Sequence, residues 1–109
     1  MSHENYSTVI QTLNDCITAC NHCYDACLKE EHVNMMVGCI RLDRECADIF
    51  PFLAQAMGRG TPFNSEFPEV CAKICESCGN ECKKYDHEHC QKCAEACLGY
   101  AEECRKIVA

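Results

Sequence analysis

The sequence predicts an all-α protein: an antiparallel up-down-up-down four-helix bundle with a cysteine-lined core, built from a duplicated helical hairpin. Three observations predict it. Cys16, Cys20, Cys23 and Cys27 step by four, three and four residues, offsets that keep every side chain on one face of an α-helix. The same figure returns at Cys71, Cys75, Cys78 and Cys82, an offset of 55. At an offset of 58, Gly38-Cys39 and Cys46 are answered by Ala96-Cys97 and Cys104, each second cysteine preceded by Glu. A chain that repeats a helical pair in this way reads as two hairpins packed together.

The first helix is expected over about 5–30, after a short frayed end at 1–4. Its seam reads Val9, Leu13, Cys16, Cys20, Cys23 and Cys27, uninterrupted by Pro or Gly. Residues 31–34 form a short turn, which makes the neighbouring helices antiparallel. The second helix is expected over about 35–57, with the seam Met35, Cys39, Leu42, Cys46, Ile49 and Leu53. Pro51 falls inside it and should kink it or loosen one turn. The run Gly58-Arg59-Gly60-Thr61-Pro62 ends it and opens the longest connection.

Asn64 or Ser65 can cap the third helix, about 66–85, and Pro68 sits in its first turn, where a missing N–H costs little. Its seam is Phe67, Cys71, Cys75, Cys78, Cys82 and Tyr85. Asp86 is the expected cap of the fourth helix, about 87–107, with Cys90, Cys93, Cys97, Tyr100, Cys104 and Ile107 along its core face. Every cysteine therefore falls on a core position of one domain spanning 1–109. In this topology both hairpin turns lie at one end, near His32, Met35, Met36, His87, His89 and Cys90. Aliphatic and aromatic residues (Val9, Leu13, Leu53, Phe67, Ile107) close the other end.

Composition narrows the chemistry. Fourteen cysteines in 109 residues is far above ordinary usage. A disulfide scaffold is disfavoured, because these cysteines sit at helical spacing rather than in loops. The N-terminus carries no basic n-region followed by an apolar run, which predicts a cytoplasmic chain whose thiols stay reduced. A net charge of −7 argues against nucleic acid as a partner. No stretch is apolar enough to suggest a membrane span.

Thiols alone would pack as small hydrophobes, but Leu or Ala would pack as well without the risk of oxidation. Soft metal ions give the thiols a purpose. Four thiolates around each Zn(II) would leave a charge of −2 per site in a dry core. One Cu(I) per thiolate leaves the core neutral, and bridging thiolates let a continuous ladder fill along its length, with a capacity on the order of ten ions. The ferredoxin spacing of iron–sulfur proteins is absent. All fourteen cysteines are candidate ligands: Cys16, Cys20, Cys23, Cys27, Cys39, Cys46, Cys71, Cys75, Cys78, Cys82, Cys90, Cys93, Cys97 and Cys104. Met35, His32 and His89 are added as candidates at the turn end. His87 and Met36 are weaker ones, His22 reads as a surface residue and His3 as part of the frayed end. Asp25, Asp43 and Glu45 flank the seams and read as solvated.

The two C-x3-C-x2-C-x3-C seams and the C-x2-C-x3-C-x6-C of the last helix resemble those of the cytosolic copper storage proteins, over about residues 5–107. The resemblance implies a four-helix bundle whose core thiolates store many Cu(I) ions. It also implies a tetramer of bundles and admission of copper through one open end. Exported relatives place Met at that end, whereas this chain has mainly His. The expected role is cytosolic copper storage and detoxification without enzymatic activity. The competing readings are a zinc or mixed-metal thiolate store, and a thiol redox protein, which would need one exposed, low-pKa cysteine.

Overall fold

The computed structural model describes residues 3–108, with the side chains of residues 3–6, 9, 107 and 108, Val9 and Ile107 among them, outside that description. Four α-helices follow one another: α1 (His3–Leu28), α2 (Val37–Gly58), α3 (Glu66–Cys82) and α4 (Glu88–Val108). Each packs on two neighbours, α1 on α2 and α4, and α3 on α2 and α4. This is the up-down-up-down ring expected of a doubled hairpin.

The helix boundaries differ from expectation for local reasons. α1 begins at His3, inside the stretch expected to fray, and ends two residues early in a turn closed by Lys29 N–H to Ala26 C=O and Glu30 N–H to Cys27 C=O. The first hairpin connection contains a 3₁₀ turn, Val33–Met35. α2 therefore starts at Val37, and Met35 stands outside it with 69% of its surface exposed. Met36 takes the core position instead, at 2%. α2 runs unbroken through Pro51. It ends in a Schellman motif: Gly60 N–H donates to Met57 C=O and Thr61 N–H to Ala56 C=O, with Gly60 at φ 70°.

α3 stops at Cys82, so Tyr85 lies in the second connection. There its hydroxyl approaches Glu81 Oε2 at 2.7 Å and Met35 C=O at 3.2 Å, tying the two connections together. Ser65 precedes α3 but bonds the Glu66 carboxylate rather than a backbone N–H. At α4 the first carbonyl to accept is that of His87, from Cys90 and Gln91 N–H, so His87 and not Asp86 occupies the cap position.

The core places every cysteine of the seams inward and corrects the apolar positions of α2, while Val9 and Ile107 lie outside the described side chains. All fourteen cysteines are buried and unpaired by disulfides. On α2 the buried face is Cys39, Asp43, Cys46, Ala47, Phe50, Leu53, Ala56 and Met57. Leu42 and Ile49, expected on that face, are half-buried at its edge. Leu13, Phe50, Leu53, Met57 and Tyr100 close the end away from the hairpin turns. Gly79 sets the α3–α4 spacing: a Cβ there would lie 2.7 Å from Leu98 Cγ and 3.3 Å from Ala94 C=O.

Candidate metal centre

Because the seams face inward from four helices, their sulfurs form one column along the bundle axis. Nearest the hairpin turns are Cys23 and Cys27 of α1, Cys39 of α2 and Cys90 of α4, whose sulfurs all lie within 4.8 Å of one another. Cys23 Sγ is 3.7 Å from Cys27, 3.8 Å from Cys39 and 3.9 Å from Cys90. Further in, Cys39 and Cys82 approach to 3.1 Å. Cys20, Cys46, Cys78 and Cys97 form a second four-sulfur set. Next come Cys16, Cys75 and Cys97, with Cys16 at 3.3 Å from Cys97 and 3.5 Å from Cys75. Cys71, the first cysteine of α3, and Cys104, the last of α4, lie farthest from the hairpin turns.

These distances suit a metal between sulfurs. With metal–sulfur bonds of about 2.3 Å, a tetrahedral site holds sulfurs about 3.8 Å apart and a trigonal one about 4.0 Å. The thiols nearest the turns, Cys23, Cys27, Cys39 and Cys90, already stand within a few tenths of an ångström of such spacing, whereas closer pairs such as Cys39 and Cys82 would have to part. Sets also share members: Cys20 and Cys23 each belong to two. A shared sulfur is a bridging sulfur, and bridging is what soft Cu(I) accepts.

One residue of the column is not a thiol. Asp43, read from the sequence as a solvated flank, is fully buried. Its Oδ1 lies 3.2 Å from Cys93 Sγ, 3.3 Å from Cys78 and 3.6 Å from Cys82, and its Oδ2 is 3.6 Å from Cys39. The carboxyl is thus wrapped by thiols from three helices. Burial first, and then the Cys82 sulfur, push its pKa up to about 9, so at neutral pH it is a neutral acid.

Burial also pushes up the thiols at the far end, Cys71 to about 12 and Cys104 to about 11. Cys97 goes the other way: Cys16, Cys20, Cys46 and Cys75 donate toward it and pull it well below the ordinary thiol range. A metal-free core of this kind holds most of its protons, which binding must then release.

The candidates at the turn end separate. His89 is 14% exposed and turns Nδ1 toward three sulfurs: Cys90 at 3.5 Å, Cys23 at 3.6 Å and Cys27 at 3.8 Å. Its ring stacks on His87 with centroids 5.3 Å apart, and Glu30 Oε2 lies 2.6 Å from His87 Nδ1 and 3.8 Å from His89 Nε2. His32 and Met35 do not join them. Both are exposed on the first connection, because the 3₁₀ turn faces those side chains to solvent and gives the inward position to Met36. His22 is on the surface, as expected.

Comparison with known proteins agrees with this geometry. The sequence model of the copper storage protein family (Csp) matches residues 2–109. The cysteine-rich protein YhjQ of Bacillus subtilis is 51% identical over 107 residues, 97% of this chain and 99% of that protein. The Cu(I)-bound copper storage protein BsCsp3 superposes with a TM-score of 0.92 at 50% identity, covering 96% of this chain and 99% of that one. A cytosolic copper storage protein of Streptomyces lividans, solved with five coppers, gives a TM-score of 0.92 at 35% identity, covering 97% and 93%. A family match over nearly every residue, joined to a core whose thiols line up as a column, leaves one conclusion: the chain belongs to the copper storage protein family.

Proposed function

We propose that copper is held by the fourteen core cysteines, admitted past His89 at the hairpin-turn end, and stored in the cytosol without any reaction being catalysed. The protein is a copper storage protein that binds many Cu(I) ions per chain through thiolates. The observation that carries the ligand assignment is the shared sulfur column: adjacent sets have members in common, so the ions it accepts must tolerate bridging thiolates. A zinc store would need four ligands at every ion, so the same column would hold fewer Zn(II) than Cu(I), and its four-thiolate sites would leave the dry core more negatively charged. A redox protein would need an accessible nucleophile, whereas every thiol here is buried.

His89 is the ligand we assign at the mouth, since its Nδ1 already faces three sulfurs of the first set. His32 and Met35, exposed on the adjoining connection, are left a transient contact with incoming copper at the rim. Cytosolic location is supported by the S. lividans relative, which is cytosolic; among the described residues no helix is long and apolar enough to cross a membrane. A tetramer of bundles completes the proposal. The exposed Phe52, Phe63 and Val70 supply an apolar face on α2, α3 and the loop between them that such an assembly could cover.

The test is an anaerobic titration of the reduced protein with Cu(I) against a competing chelator, followed by alkylation of free thiols. Uptake of roughly ten ions or more per chain, with nearly all thiols protected, is the expected result. Saturation at one or two ions with most thiols still reactive would refute the assignment.

A further inference from the structure

At the end of the column away from the mouth, one polar atom is left over. Tyr100 is fully buried, with its ring 5.0 Å from that of Phe50, and its hydroxyl has no hydrogen-bond partner. An unbonded buried hydroxyl is destabilising, and Phe would fill the same space without that cost. The groups around the hydroxyl are sulfurs. Cys104 lies one turn on along α4, and Cys71 and Cys75 face it from α3.

These neighbours define what the hydroxyl can do. A phenol this deeply buried keeps its proton, and with thiols as its neighbours it serves as a donor. A neutral thiol is a weak acceptor, whereas a thiolate accepts strongly. The hydroxyl is therefore mismatched to the metal-free core and matched to a metallated one.

We propose that Tyr100 is a positioning residue for the closed end of the store, donating a hydrogen bond to Cys104 Sγ once that sulfur binds copper and so retaining the ions that reach this end. The inference rests on the reading that Cys71 and Cys104 are ligands. As the copper–sulfur bond forms, the Cys104 thiol proton passes to solvent. The Tyr100 proton stays on its oxygen, and no electron moves.

The test is Tyr100→Phe in the full chain, loaded anaerobically with Cu(I) against a chromophoric chelator. Protection of Cys71 and Cys104 is read by alkylation and mass spectrometry. The metal-free variant should melt no lower than the native protein, since it loses an unsatisfied group. Relative to the first ions, its final ions should be held about tenfold more weakly, the worth of one charge-assisted bond, with Cys104 the first thiol exposed to the chelator. If the native chain protects Cys104 at saturation and the variant holds its final ions equally well, the proposal fails while the ligand reading stands. If native Cys71 and Cys104 stay reactive at saturation, the ligand reading fails at this end and takes the proposal with it. A marked loss of stability in the metal-free variant would make Tyr100 a packing residue and overturn the proposal. Ultraviolet resonance Raman of tyrosine in the native chain reads the same event without a substitution. Bands that shift on adding the final ions support it, and bands that stay fixed overturn it.

Discussion

Replacing Asp43 by Asn should make the metal-free bundle more stable at neutral pH, and the gain can be worked from its surroundings. The native carboxyl is raised from its ordinary 3.8 to about 9 by burial and then by the Cys82 sulfur. A folded-state pKa above the unfolded one means that the folded state binds the proton more tightly. The associated stability is complete below 3.8 and is lost as pH rises toward 9. At about 1.36 kcal/mol per pH unit, the interval from 3.8 to 7 amounts to about 4 kcal/mol. Asn keeps the shape and an acceptor oxygen for the thiols but has no proton to lose. Denaturant unfolding of both proteins, reduced and anaerobic, from pH 4 to 9, measures the effect. Because the cysteines titrate in both chains, the difference between the curves isolates the carboxyl. It should widen steadily with pH, in favour of Asn, by about 4 kcal/mol at pH 7. Parallel curves would show that Asp43 is solvated or ionised in the folded chain, and the reasoning would be wrong.

Other consequences are as direct. Gly79→Ala forces a methyl against Leu98 and Ala94 C=O and should cost about 1–3 kcal/mol by urea denaturation; an unchanged midpoint would mean that α3 and α4 part freely. His89→Ala should slow copper uptake from a chelated donor more than His32→Ala does, checked by stopped-flow absorbance; equal slowing would remove the significance of the Nδ1 geometry. Copper binding at the far end should tighten about tenfold per pH unit for each thiol proton released, because Cys71 and Cys104 stay protonated up to about 12 and 11; competition titrations between pH 6 and 9 test this. Copper at a hundredfold excess over a site's dissociation constant should add about 2.7 kcal/mol of stability per site, visible as a rising melting temperature in calorimetry.

The cysteine seams were legible because steps of three and four admit one helical reading, and burial of every thiol follows from it. On the second helix Cys39, Cys46 and Leu53 stand where the spacing put them, whereas Met35, Leu42 and Ile49 were each read one residue early. From Cys39 and Cys46 the same rhythm leads through Asp43 to Phe50, Leu53 and Met57, all buried, and back to Met36. Leu42, Ile49 and Met35 drew the seam away because they are apolar, while a carboxylate in a core is uncommon. The internal repeat held the correcting signal: at the offset of 58, Asp43 answers Ala101, which is also buried. The 3₁₀ turn at Val33–Met35 carried no comparable mark. Its three residues have no Pro or Gly, and docking of the two connections through Tyr85 decides their conformation. Orientation of His89 toward the thiols likewise depends on packing against His87 and Glu30, two contacts that spacing alone does not encode.

The set Cys20, Cys46, Cys78 and Cys97 takes one sulfur from each helix. Copper bound across this set would tie helices of both hairpins together. A nascent chain still lacking its last helix would offer only three of these four sulfurs. Withdrawal is constrained in the same way. Swinging one hairpin aside would withdraw two of the four sulfurs at once, so opening the bundle would work against copper bound here, whereas transfer between neighbouring sulfurs would leave the bundle shut. The stored metal thereby becomes part of what holds its own container closed.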